Sequence, residues 1–400
     1  MKRQDRVAML PTVLFSLLLL LPSCKSSSVD PEPPTAYKYH VPDQAGDGWP
    51  TASAADVGMQ TASFVTLMND LSRQTANNVH GIVVARNGKL VFEEYFSGEE
   101  MDIRGQTVQY VQKTFDRNTP HFLASASKSV TSLLLGIALD KGTLPGIDRT
   151  MFSFFPEYAS LATPQKNSIT ISHMLTMSSG IPWDEGYPFD DPRNDLVAMV
   201  GSQDPIGFVL AKQLTASPGV QFLYNSGTTT VLGEIVKRES GQLLSNFADQ
   251  YLFAPLGIAS HTWVGCAQKP DVALASSGLY LTPREMAKIG QVCLQKGIWN
   301  GNRIVSEHWV NESTRQHVQV PTNQNPMPKL ITGYGFQWWL GTFATGNTNV
   351  FFAAGLGGQY IFVFPSKDLV VALTGGAYKT QAYEIFYDVV NNYILLSLAQ

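Results

Sequence analysis

Charge is scarce in this chain. Only 15% of its 400 residues are Asp, Glu, Lys or Arg, and the formal net charge is −4. No run of Lys and Arg and no basic stripe is present, so nucleic-acid binding lacks its electrostatic footprint. Cysteine is scarcer, at three residues. None lies in a Cys-x-x-Cys pair, which leaves zinc or dithiol redox chemistry without a signature. None of the seven histidines falls in His-Glu-x-x-His, and no serine sits in Gly-x-Ser-x-Gly. The zincin and α/β-hydrolase arrangements are therefore not written here. No motif asks for a metal or an organic cofactor, and no internal repeat is visible. What is abundant is apolar: 44% hydrophobic residues, with 33 glycines and 23 prolines spread through the chain as turns. That composition suits a large folded core, in two domains or one with an insertion.

The one long apolar run, Val13 to Leu21, is too short to span a membrane as a mature helix. It follows Lys2, Arg3 and Arg6 and ends Leu21-Pro22-Ser23-Cys24. This resembles a bacterial lipobox, with Pro22 a mild departure at the spacer; a plain secretory signal reads the same residues without lipid. Residues 1–23 are expected to be a signal peptide and Cys24 the site of lipidation. The chain is then exported to the bacterial cell envelope and anchored to its membrane. Residues 24–55, rich in Ser, Pro, Asp and Gly, read as a flexible tether. Cys266 and Cys293 remain; they stand 27 residues apart, and the sequence leaves open whether they pair.

After the tether, Phe64, Val65, Leu67, Met68 and Leu71 recur at helical spacing. Gly81 to Ala85 and Leu90 to Phe96 are β-rich runs flanking Asn87-Gly88, a strong hairpin signal. A helix is expected next, from Leu123 through Asp140 to a stop at Gly142. From Leu144 to Leu274 strand signals fade. Helical patterns appear at Ile171 to Met177, Asp195 to Val200, Pro205 to Gln213, Thr229 to Ser240 and Ser245 to Leu252. Pro283 to Lys296 is another helix, with Thr282 as its cap. Strands return at Gly335 to Leu340, Val350 to Ala353, Gln359 to Phe364 and Leu369 to Thr374, before a closing helix from Thr380 to Leu398. The economical fold is α+β: one antiparallel sheet built from both chain ends, residues 56–143 and 275–400, flanked by helices, with residues 144–274 as an inserted helical domain.

The chemistry concentrates in the helix start Leu123-Ala124-Ser125-Ala126-Ser127-Lys128-Ser129. Ser125 and Lys128 stand at i, i+3, on one face of a helical turn. A neutral lysine amine can take the proton of a serine nucleophile, and a helix N-terminus disfavours a charged ammonium there. Lys128 is the only lysine with serine three residues before it. An ordinary helix start with a capping serine produces the same pattern. Tyr224, on a polar turn before the Thr229 helix, has the reach to share a proton with such a pair. Gly355, in Ala353-Ala354-Gly355-Leu356, lets a substrate or another backbone approach a strand.

In that order, Ser125-x-x-Lys128, Tyr224 and the late glycine-containing strand resemble the serine beta-lactamase-related family of class C beta-lactamases, penicillin-binding DD-peptidases and esterase and amidase relatives. Thr170 to Gly180, Ser277 to Ala287 and Gly333 to Phe336 add to the likeness, which runs from about Asp56 to the C-terminus. The resemblance implies the beta-lactamase/transpeptidase-like fold. It implies Ser125 as nucleophile, Lys128 as base, Tyr224 as proton relay, and the amides of Ser125 and Leu356 as an oxyanion hole. Two departures matter. Tyr-x-Asn is the usual second motif, and here Ser226 stands where the asparagine belongs. Lys-Thr-Gly or His-x-Gly is the usual third, and Ala353 carries no charge there. A substrate carboxylate loses a charge-assisted contact worth about 1.5–3 kcal/mol. The resemblance thus implies hydrolysis of a small ester, amide or peptide, with penicillin-binding, DD-peptidase or true beta-lactamase activity as one alternative and a non-catalytic cell-wall or partner-binding protein as another. Substrate identity and oligomeric state are not written in the sequence.

Overall fold

The computed structural model describes residues 36–74, 77–105, 108–379 and 383–398. The signal segment, Cys24 and residues 25–35 of the expected tether lie outside them, and the rest of that stretch is not a tether: Trp49 is buried, its indole donating to the Gly88 carbonyl (3.0 Å), and the Tyr39 hydroxyl donates to the Val91 carbonyl (2.8 Å). Tyr37 onward forms a single compact unit. Its centre is a seven-stranded antiparallel sheet. In chain order the strands are β1 (Val79–Arg86) and β2 (Lys89–Tyr95), followed far later by β5 (Ile331–Tyr334), β6 (Trp339–Phe343), β7 (Thr348–Gly355), β8 (Gln359–Phe364) and β9 (Leu369–Gly375). They lie side by side as β5-β6-β7-β8-β9-β1-β2, so β1 pairs with β9 and the two chain ends close one sheet, as the pattern implies. Asn87 and Gly88, at φ 52° and 72°, make the two-residue turn between β1 and β2 that the Asn-Gly pair specifies.

Both sheet faces are covered, which is why the strands are apolar throughout rather than alternating. Ile82, Val84, Phe362 and Val371 face α1 (Thr61–Ser72) and the closing helical segment. Phe64 of α1 stacks on Phe92 at 4.5 Å. Val83, Ile361, Val363 and Val370 face the other way, towards α8 (Pro283–Leu294) and α2 (Ser127–Asp140).

Residues 144–274 supply short helices: α3 (Ile171–Leu175), α4 (Asp195–Gly201), α5 (Pro205–Ala211), α6 (Ser226–Ser240) and α7 (Leu244–Ala248). The region is not strand-free, since Thr262–Trp263, Gly265–Cys266 and Lys269–Ala273 are paired. A further hairpin, β3 (Ser97–Asp102) with β4 (Gln109–Thr114), precedes the Ser125 turn; its polar, half-exposed sequence hid it.

Other corrections have local causes. Gly335 to Trp338 is a turn between β5 and β6, not a strand. Gln337 there is left-handed (φ 64°), held by its own side chain. Helix α6 begins at Ser226 rather than Thr229, because the Asn225 side chain caps it by accepting from the Thr228 amide. The closing helix is two short pieces, Glu384–Asp388 and a π-helical Val389–Ile394. Cys266 and Cys293 are both free and buried, and burial raises both thiols. Among the described residues no helix is long and apolar enough to cross a membrane.

Candidate active site

The chain enters the Ser125 turn from the short strand His121–Phe122, which pairs with Leu279–Leu281. Ala124 is left-handed (φ 46°), a conformation that strains a residue with a Cβ and recurs at functional turns. One turn of 3-10 helix, Ala124–Ala126, then leads into α2. Three contacts hold it. The Leu123 amide donates to the Leu279 carbonyl (2.9 Å). The Ser127 hydroxyl donates to the Ala124 carbonyl (2.7 Å) and accepts from the Leu279 amide (3.2 Å). From the other side comes the end of β7, whose pairing with β6 stops at Phe352. Its last residues press against the turn so closely that a Cβ on Gly355 would lie 2.1 Å from the Leu123 carbonyl oxygen. Gly355 is therefore required by close approach.

Further along, α2 is docked by side chains of its own face. Ser129 donates to the Gln337 carbonyl (2.6 Å) and Thr131 to the Ala275 carbonyl (2.8 Å). Lys128, on the turn just before them, is almost wholly buried. Its Nζ sits 2.9 Å from Ser125 Oγ, 2.9 Å from Ser226 Oγ and 3.1 Å from the Ser276 carbonyl oxygen. Three partners match the three protons of an ammonium. When the amine is neutral it has two protons and a lone pair. The Ser276 carbonyl can only accept, so the lone pair is left for a hydroxyl, that of Ser125 or Ser226. Burial pushes Lys128 down from 10.5 to about 8, partly opposed by the Glu185 carboxylate.

Tyr224 lies beside this pair. Lys128 Nζ stands over its ring at 4.7 Å, its hydroxyl lies near Ser125, and its ring stacks on Trp339 at 5.6 Å. Burial drives its pKa well above the usual tyrosine value, so the phenol stays protonated at neutral pH. Leu356 follows β7 and lines the same cavity as Ser125. Among the described residues neither the Ser125 nor the Leu356 amide has a protein acceptor. The structure thus brings together Ser125, Lys128, Tyr224, Ser226, Gly355 and Leu356. Ala353 is fully buried, and no Lys or Arg is among the described residues that line the cavity.

Three participants carried no readable signal. Ser276 contributes only a carbonyl. Gln337 ties the helices together, accepting from Thr229 Oγ1 (2.8 Å) and donating to the Met174 and Leu175 carbonyls (3.1 and 3.0 Å). Glu185 accepts from the Ser226 amide (3.1 Å) and from the Trp183 indole. Acidic residues in loops are too common for the last to be picked out. His173 lies in the first turn of α3, where Nδ1 accepts from the Thr170 amide (3.2 Å) in a capping box.

A family model described as Beta-lactamase matches residues 64–394. A 6-aminohexanoate-dimer hydrolase of Paenarthrobacter ureafaciens is 25% identical over 296 residues, covering 70% of this chain and 72% of that protein. Esterase EstB of Burkholderia gladioli is 26% identical over 220 residues, 52% of this chain and 53% of its own. The octameric penicillin-binding protein homologue from Pyrococcus abyssi has a TM-score of 0.60 at 19% identity, over 84% of this chain and 77% of that one.

Proposed function

The chain belongs to the beta-lactamase family and is a hydrolase, and from that premise we propose that it cleaves a small ester or amide through an acyl-serine intermediate. One observation carries this reading: a buried lysine amine 2.9 Å from an accessible serine hydroxyl, with a tyrosine ring packed against the same amine. Neutral Lys128 takes the proton of Ser125 as Oγ attacks the substrate carbonyl. The amides of Ser125 and Leu356 receive the developing oxyanion. As the tetrahedral intermediate collapses, the carbonyl–heteroatom bond breaks, and the proton passes through the protonated Tyr224 to the leaving alcohol or amine. Water then attacks the acyl-enzyme by the same route in reverse, releasing the acid and restoring Ser125. Tyr224 serves as acid and relay and Lys128 as base, because burial moves their pKa values in opposite directions.

Ser226 fills the place of the usual asparagine by accepting from Lys128 (2.9 Å), which supports an intact machine despite the departure. The uncharged Ala353 and the lack of Lys or Arg among the described residues lining the cavity weigh against carboxylate-bearing substrates, and so against penicillins and peptide C-termini. Purified protein is expected to hydrolyse short acyl nitrophenyl esters, to turn over a chromogenic cephalosporin poorly, and to lose ester hydrolysis in Ser125→Ala. Undiminished turnover in that variant refutes the assignment. Export and lipid anchoring through Cys24 belong to the same proposal, on the strength of Leu21-Pro22-Ser23-Cys24 alone. Labelled palmitate should enter the expressed chain and fail to enter Cys24→Ala.

A further inference from the structure

The cavity at Ser125 has a volume of about 460 Å³. At about 30 Å³ per water-sized group it has room for roughly fifteen, far more than an acetyl group and its leaving atom need. Its walls are largely apolar. Met101 and Ile103 come from the β3–β4 hairpin side, and Leu196, Val197 and Val200 from α4. The only charges among the described lining residues are two carboxylates, Glu185 and Asp190.

This wall is held in place before any substrate arrives. Asn194 caps α4, its Oδ1 accepting from the Leu196 amide (3.0 Å), while its Nδ2 donates to the Tyr187 carbonyl (2.7 Å) in the Glu185 loop. The Asp184 amide donates to Asp195 (2.8 Å), and Lys212 pairs with Asp195 at 2.7 Å. Helix α4 and Glu185 are therefore one tied piece. Glu185 presents Oε1 to the Ser226 amide, beside the reacting residues. At the rim, Gly201 ends α4, and a Cβ built there meets nothing within 4 Å.

We infer that this cavity binds an uncharged apolar arm of the substrate along α4, and that Glu185 and Asp190 turn away anionic arms. The substrate class is a neutral ester or amide whose chain has roughly eight to twelve carbons, enough to occupy most of the roughly fifteen places. This rests on the acyl-serine reading above. A fully buried methylene is worth roughly fourfold in affinity, so chain length is the sensitive variable.

The test uses the full chain carrying Ser125→Ala, with binding followed by calorimetry. The probes are N-methylacetamide, N-methyloctanamide and the ω-carboxylate of the same length, N-methylsuberamate. N-methyloctanamide should bind at least thirtyfold tighter than either of the others. Adding Gly201→Phe, which grows into open space at the rim, should weaken N-methyloctanamide at least tenfold. Equal binding of the short and long amides overturns the inference, as does suberamate binding as tightly as octanamide. The ligand comparison needs no variant at the wall, so it holds even if Gly201→Phe folds poorly. Because binding is read without turnover, its failure is separate from failure of the acyl-serine mechanism, which is judged by whether Ser125→Ala hydrolyses esters.

Discussion

A base buried in the wall of a cleft sets the pH at which the cleft works. Lys128 is lowered from 10.5 to about 8 by burial, a displacement of about 3 kcal/mol in favour of the neutral amine. At pH 7 about a tenth of the molecules then carry a neutral Lys128, at pH 8 about half, and at pH 9 about nine-tenths. Only the neutral amine can take the Ser125 proton. The kcat/KM for an uncharged ester should therefore rise about tenfold from pH 7 to pH 9, with a midpoint near 8. Burial keeps Tyr224 protonated across that range, so it adds no falling limb there. The assay is the initial rate of release of a chromophoric alcohol that does not titrate between pH 6 and 10. The rate with Ser125→Ala is subtracted at each pH, because free hydroxide also cleaves esters. A midpoint near 6.5 would transfer the base role to an imidazole. A flat profile would show that Lys128 does not titrate on the path to the acyl-enzyme.

Two further outcomes follow from the same geometry. Gly355→Ala places a Cβ 2.1 Å from the Leu123 carbonyl oxygen and 3.1 Å from the Ala126 amide nitrogen, both backbone atoms, so the Ser125 turn and the Leu356 amide must move apart. A loss of about a hundredfold or more in kcat is expected, the size of removing one oxyanion donor, with a lowered Tm in thermal unfolding; wild-type kinetics would refute the close approach. In Glu185→Gln the negative charge that favours protonated Lys128 is gone, while an oxygen still accepts from the Ser226 amide. The acid limb of kcat/KM should move to lower pH, and movement to higher pH contradicts the placement.

Sequence by itself was enough for whatever depends on neighbours a few residues apart. Ser125 and Lys128 meet because i and i+3 share a helical face, wherever that helix packs. Asn87-Gly88 turns the chain because those residues tolerate positive φ. Leu369 to Thr374 is a strand in any setting that buries both its faces. Tertiary structure decided what depends on distant segments arriving together. Ser226 reaches Lys128 across 98 residues and the Ser276 carbonyl across 148, and no local pattern encodes either approach. Gly335 to Trp338 has strand-like composition yet turns, because Gln337 gains three buried hydrogen bonds by leaving the strand. The lowered pKa of Lys128 likewise comes from packing, since desolvation requires a core assembled from all parts of the chain. Residue types and short spacings told which groups can react. How they are tuned, and what shape of molecule reaches them, follows from burial, and burial is a property of the whole fold.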